Sequence, residues 1–387
     1  MINTIAVHGY RSLRDLRVPL SRITVITGAN GAGKSSLYRA LRLLADCAEG
    51  QVVASLAREG GLPSTLWAGP EVVGAAVRRG DHPVQGTVRA DRVSLQLGFA
   101  ADDFSYLIDL GLPIRGNSAF DLDPEIKREL VWMGEIVRPS TLLARRSGPH
   151  VELRDGAGWV VADTRPRTYE SMITEVVDLA RAPELFWVRE QVRSWRFYDQ
   201  FRTDANAPAR TSHVGTRTPV LNHDGRDLAA ALQTILEIGN GRALRRTIAD
   251  AFPGAELTIR TEAGRFELQF NAHGLLRPLG AAELSDGTLR YLLMVAALLS
   301  PRPPGLMVLN EPETSLHPDL LAPLARLIGQ ASRSTQIVVV SHAAPLITAL
   351  QREPESTTVE LVKDFGETQV AGQEGPLDGP PWSWGSR

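Results

Sequence analysis

Gly28-Ala29-Asn30-Gly31-Ala32-Gly33-Lys34-Ser35 fits the spacing G-x-x-x-x-G-K-[ST]. Glycines at these places let the backbone turn several N–H groups toward one point, where they gather the oxygens of a phosphate chain. The ammonium of Lys34 adds a positive charge, and the Ser35 hydroxyl is a hard oxygen ligand suited to Mg2+. Gly28 to Ser35, with Ser36 beside them, form a candidate site for ATP and magnesium. Two more places carry polar groups at the edge of apolar runs. Glu311 follows Leu306-Met307-Val308-Leu309-Asn310, and His342 follows Ile337-Val338-Val339-Val340-Ser341. A carboxylate there can polarise water, and an imidazole can contact a terminal phosphate. A third place is the turn Leu284-Ser285-Asp286-Gly287-Thr288, where Ser285 and the Gly287 N–H precede an apolar stretch; taken alone it is an ordinary helix N-cap or an anion site at a helix start.

The elements that position these groups follow from periodicity. Ile23 to Thr27 reads as a buried strand, and Leu37, Leu41, Leu44, Ala45 and Ala48 mark an amphipathic helix after the glycine loop. Thr288 to Leu299 and Leu320 to Ile328 read as helices; Leu306 to Leu309 and Ile337 to Val340 read as strands buried on both faces. Strand ends are where such sheets bind ligands, so Asn310, Glu311 and His342 are expected to converge on the phosphates. The middle differs. Val93 to Phe99 and Phe104 to Leu110 alternate as an antiparallel hairpin, and Val151 to Arg154 with Trp159 to Val161 suggest another. Asp227 to Ile238 and Arg242 to Ala251 look helical, while Thr203 to Thr218 reads as a long loop. After Gly366 the chain is rich in Gly and Pro and reads as an irregular tail whose Trp382 and Trp384 can dock on the body or on a partner.

At 387 residues with 43% apolar content the chain is globular, and its net charge of −2 argues against a surface made wholly for nucleic acid. Any DNA contact must be local. Arg189, Arg193, Trp195, Arg196, Phe197, Tyr198 and Arg202 mix guanidinium groups with aromatics, and Arg242, Arg245 and Arg246 form a second cluster. Cys47 is the single cysteine, which excludes an internal disulfide and cysteine zinc sites and fits a reducing compartment. The start Met1-Ile2-Asn3-Thr4-Ile5 lacks the features of a leader, and no apolar run reaches the ~18 residues a membrane span needs. The expectation is a soluble, cytoplasmic protein.

Four ordered motifs carry a family resemblance. Leu284 to Thr288 resembles the LSGGQ signature of ABC ATPases, Leu306 to Pro312 resembles a Walker B strand, Ser315 to Asp319 looks like the D-loop, and Ser341-His342 stands at the place of the switch histidine. The opening His8-Gly9-Tyr10-Arg11-Ser12-Leu13-Arg14-Asp15-Leu16 is similar to that of RecF, SMC and related DNA-repair or phage-defence ATPases, and Asn310 to Pro318 looks like bacterial AAA/RecF-like ATPases. The resemblance covers about the first fifty residues and the hundred from Ala281.

The resemblance implies an α/β P-loop NTPase of ABC-head type. Its mixed or parallel central sheet is flanked by helices, with an antiparallel β subdomain and a helical lobe carrying the signature. One head would span 1–370, in segments 1–90, 91–275 and 276–365, with a tail at 366–387. It further implies Glu311, His342 and Lys34 as catalytic groups, Ser35 and Asn310 at the metal, and Arg11, Ser12, Ser285 and Gly287 near nucleotide. Two heads would close head to tail on ATP as a homodimer acting on DNA or on an effector. The alternative is a slow ATP-gated clamp or sensor. Asn310 departs from the pattern, which has an aspartate to hold magnesium, so slow turnover is expected. Gln191 and Gln200 are candidates for the Q-loop glutamine. The coiled-coil arm of the SMC group is missing, and so is an appended nuclease domain, so any nuclease would be a separate subunit. The opening and the β-rich middle disfavour a transporter engine.

Overall fold

The computed structural model describes residues 1–69, 94–114, 118–156, 158–199, 201–373, 375 and 378–385. The chain divides into two compact units, one made of 1–21, 26–195 and 359–387, the other of 22–25 and 196–358. The division at Trp195 falls inside the segment read as the middle.

The first unit is built on an eight-stranded antiparallel meander. Its order is Leu13–Pro19, Ile2–Tyr10, Leu95–Ala101, Phe104–Gly111, Glu125–Met133, Leu142–Ser147, His150–Asp155 and Gly158–Val161. The two hairpins expected from alternation are present, with Leu97 opposite Ile108 and Leu153 opposite Val160. They belong to one sheet that begins with the first residues of the chain, Val7 pairing with both Leu16 and Leu97. The helix Lys34–Ala48 buries Leu37, Leu41, Leu44 and Ala48 of the expected stripe, leaves Ala45 half-buried, and buries Cys47 as well. Burial pushes the Cys47 thiol well above its ordinary range, which keeps it protonated.

The tail is more ordered than its composition suggests. Glu367–Val370 is a strand paired with Ser356–Asp364. Trp382 packs on Trp132 at 5.6 Å between ring centroids, the Trp384 indole N–H donates to Asp15 at 3.0 Å, and Arg128 donates to the Trp384 carbonyl at 2.6 Å. Both tryptophans dock on the body.

The second unit holds the parallel strands Arg196–Tyr198, Leu306–Asn310 and Gln336–Val340, with Phe197 beside Val308 and Val308 beside Val338. Arg22 lies along the last of these, its carbonyl accepting from the Ile337 N–H at 2.9 Å. The helix Asp286–Leu298 is buried from Leu289 to Leu298, which explains why it is apolar all round. Leu228–Ile238 and Leu321–Ala331 pack on it, Gly241–Ala251 and Ala344–Leu350 pack on Leu321–Ala331, and Glu256–Glu262 pairs antiparallel with Arg265–Asn271. Within the expected loop of 203–218 lie a turn of 3-10 helix, Pro208–Arg210, and a short strand, His213–Val214.

One correction concerns the arginine and aromatic cluster. Trp195, Phe197 and Tyr198 are 3%, 7% and 1% exposed. Trp195 packs on Phe99, and the Tyr198 hydroxyl donates to the Leu221 carbonyl at 2.9 Å. These rings are core and cannot stack on nucleotide bases. Arg242, Arg245 and Arg246 remain exposed on one helix.

The first unit also buries an ion pair. Glu129 and Arg146, both wholly enclosed, meet at 2.9 Å. The carboxylate accepts further from the Tyr106 hydroxyl at 2.6 Å, the Met172 N–H at 2.8 Å and the Ser171 hydroxyl. The guanidinium donates to the carbonyls of Gly148, Arg167 and Glu170. Only complete satisfaction of this kind offsets the desolvation of two charges. Arg146→Met should therefore destabilise the protein by about 3–5 kcal/mol in urea denaturation. Arg181→Met, which removes a half-exposed pair with Asp178, should cost less than about 1 kcal/mol.

Candidate functional site

In the first unit the glycine loop joins the strand ending at Gly28 to the helix starting at Lys34. Gly33 is the N-cap, has φ of 108° and offers no side chain to cap the helix. The first-turn amides are thereby left for an anion. A Cβ on Gly33 would fall 2.2 Å from the Thr368 hydroxyl oxygen, so both its φ and its surroundings require glycine. Lys34 is buried, and its ammonium donates to the Gly28 and Ala29 carbonyls at 2.6 and 3.0 Å, which fixes the charge over the loop. Ser35 is exposed and Ser36 half-buried.

Behind the loop lies a residue the motifs did not reveal. The Thr368 hydroxyl contacts the Ala32 carbonyl and the Ser12 hydroxyl, each at 2.8 Å, and the Thr368 N–H donates to the Ser12 carbonyl at 2.8 Å. Ser12 is thus brought to the loop through Thr368. The Arg11 guanidinium instead donates to Glu59 at 2.6 and 3.2 Å, on the same oxygen that the Tyr10 hydroxyl reaches at 2.6 Å. Gln191 sits in the helix Pro183–Arg193, and Gln200 lies outside the described residues.

In the second unit, Asn310 and Val340 are register partners at the ends of parallel strands. The Glu311 N–H donates to the Val340 carbonyl at 2.8 Å, and Glu311 has φ of 48°, a left-handed conformation that costs of order 1 kcal/mol or more. Its carboxylate stays half-exposed. His342 lies beside it, with Nδ1 at 3.7 Å from Glu311 and 3.5 Å from Glu313. Asn310, Glu311 and His342 do come together at one sheet end.

Glu313 is a second residue that the sequence reading missed. It is buried, and its Oε1 accepts from the Ser341 hydroxyl at 2.7 Å and the His342 N–H at 3.2 Å, so it fixes the turn that carries the histidine. The signal was present as a second acid two places after Glu311. Arg290, from the signature helix, reaches the Glu311 and Asp199 carbonyls at 3.2 and 3.4 Å. Burial draws its guanidinium below the usual range, against the charges of Glu313, Glu311 and Asp199.

The signature turn is exposed. Ser285 caps the helix by accepting from the Thr288 N–H at 3.2 Å. A Cβ on Gly287 would lie 2.7 Å from the Ser315 carbonyl, so glycine lets the turn pack on the segment read as the D-loop. Ser315 itself has φ of 64°.

The family described as "AAA domain, putative AbiEii toxin, Type IV TA system" matches residues 23–349. The chain belongs to this AAA-domain family. Its fold is that of SMC heads. A crystal structure of an SMC head bound to the C-winged helix domain of ScpA is 13% identical with a TM-score of 0.52, covering 95% of this chain and 97% of that one. A second head, from Pyrococcus furiosus, carries an extended coiled coil and is bound to the C-terminal domain of ScpA. It is 12% identical with a TM-score of 0.50, covering 95% of each chain. The SMC head from Thermotoga maritima is 15% identical with a TM-score of 0.48, covering 95% of this chain and 97% of that one. No curated protein matches the chain. The chain is therefore an AAA-domain ATPase with the fold of SMC heads. Among the described residues no helix is long and apolar enough to cross a membrane.

Thr368→Val keeps the shape of the loop's support and removes its hydroxyl, leaving the Ala32 carbonyl and Ser12 without that partner. The unpaired groups should cost about 1–3 kcal/mol, read as a lower Tm together with a several-fold weaker titration by a fluorescent ATP analogue. Thr368→Ser should retain nucleotide affinity.

Proposed function

We propose that this AAA-domain ATPase closes head to tail with a second copy of itself on ATP and magnesium, and that closure drives action on DNA or on a partner effector. The observation that carries the reading is the exposed, Ser285-capped turn at the start of a buried helix, held against the D-loop segment through Gly287. A helix start of this kind presents its amides and positive dipole end outward, which suits a phosphate arriving from another molecule. Lys34, the loop amides from Gly28 to Gly33, Ser35 and Ser36 would hold the triphosphate of the first head.

The donors present suit magnesium. Among the described residues no group of three His, Cys, Asp or Glu is arranged to hold a metal ion. Magnesium commonly keeps few protein ligands and binds alongside substrate phosphates. The Ser35 hydroxyl and the Asn310 amide oxygen are the hard oxygens that would face it, and the ion would neutralise charge on the phosphates. Glu311 would polarise the attacking water and His342 would contact the terminal phosphate. The charge missing at Asn310 supports the second reading as well, a slow ATP-gated clamp that scaffolds an effector. The family's description names a putative toxin of a toxin–antitoxin system, which supports a defence role rather than repair.

Sedimentation with and without ATP and magnesium tests the closure. The parent should dimerise only with nucleotide, and Ser285→Arg should remain monomeric while still binding it; a parent that stays monomeric at saturating ATP refutes the reading.

Turnover separates the two readings. Asn310→Asp should raise steady-state hydrolysis and Glu311→Gln should lower it by about 100-fold or more. Stimulation by DNA that weakens when Arg242, Arg245 and Arg246 are changed to Ala would favour the DNA-acting enzyme. Turnover indifferent to DNA would favour the clamp.

A further inference from the structure

Arg210 ends the short turn Pro208–Arg210, within a stretch whose composition reads only as loop. Its side chain is 7% exposed, an unusual depth for an arginine outside a core. The reason is the set of acceptors around it. Nη1 donates to the Leu284 carbonyl at 2.7 Å and to the Ala281 and Ala282 carbonyls at 3.1 and 3.2 Å. Nη2 donates to the Asp286 carboxylate and the Thr203 carbonyl, both at 2.7 Å, while Nε reaches the Thr203 and Asp204 carbonyls at 2.9 and 3.1 Å. Leu284 and Asp286 are the two neighbours of Ser285, so one guanidinium grips the backbone before the serine and the carboxylate after it.

The carboxylate poses an electrostatic problem. Asp286 is 60% exposed in the first turn of the helix, where the LSGGQ pattern has glycine. An acid there favours the helix through its dipole, but it places a negative charge where a triphosphate must dock. Arg210 is the cation against it.

We propose that Arg210 is a positioning residue for the signature turn, fixing the backbone on both sides of Ser285 and cancelling the charge of Asp286 so that the turn accepts the triphosphate held by a second copy of this chain. This rests on the composite-site reading given above. A merely structural role predicts lost stability whatever stands at 286, whereas the charge role predicts that removing the carboxylate repairs the loss of the arginine.

The test uses the full chain and three variants, Arg210→Met, Asp286→Asn and the two together. Thermal unfolding, binding of a fluorescent ATP analogue at dilutions where heads are single, and dimerisation with ATP and magnesium by sedimentation are measured for each. Arg210→Met should leave single-head nucleotide affinity within about twofold and weaken dimerisation by about tenfold or more, the scale of one lost charged hydrogen bond. The double variant should regain most of that loss, and Asp286→Asn alone should dimerise at least as well as the parent. The proposal is overturned if Arg210→Met dimerises like the parent, or if the double variant is no better than Arg210→Met while both melt cooperatively. Should Arg210→Met not fold, Asp286→Asn decides: weakened dimerisation there overturns the proposal. A parent that is monomeric at saturating ATP overturns the composite-site reading and this inference with it, while a dimerising parent with an indifferent Arg210 overturns this inference alone.

Discussion

Backbone amides gather a phosphate only when the peptide units that carry them cannot turn away. In the first unit that restraint comes from the far side of the loop, where Thr368 occupies the space a side chain on Gly33 would need and binds the Ala32 carbonyl. The same hydroxyl meets Ser12, so the opening of the chain, the glycine loop and the closing hairpin share one contact. Lys34 adds charge to a loop already shaped, which is the condition under which an electrostatic group contributes most.

The second unit solves the same problem with charges. Glu311 is held in an unfavourable backbone conformation by its bond to Val340, and Glu313 ties down the turn bearing His342. Arg290 then links the signature helix to the Glu311 carbonyl. A buried guanidinium that donates to carbonyls and lies among carboxylates is costly to disturb, so these groups hold their relative places with little freedom.

Much of the candidate site's placement was legible because it is local. The glycine loop, the signature turn and the two apolar strands of the second unit each show their place in the fold within a dozen residues, and helix spacing placed Lys34–Ala48 and Asp286–Leu298 to within two residues. What escaped depends on distant partners. The strands Ile2–Tyr10, Leu13–Pro19 and Glu125–Met133 are defined by pairing, not by their own pattern. Thr368 and Arg210 look like ordinary residues until their partners, hundreds or tens of positions away, are known. Trp195, Phe197 and Tyr198 misled for a related reason: aromatics among arginines look the same in sequence whether the rings face solvent or core.

The closing hairpin also has a consequence for biosynthesis. Thr368 and the strand around it leave the ribosome after nearly everything they touch, and contacts between residues more than 300 positions apart close slowly. The glycine loop precedes Thr368 by more than 300 residues and lacks its rear support until that residue has been made. A product truncated before Thr368 would carry the entire phosphate motif without the brace that shapes it.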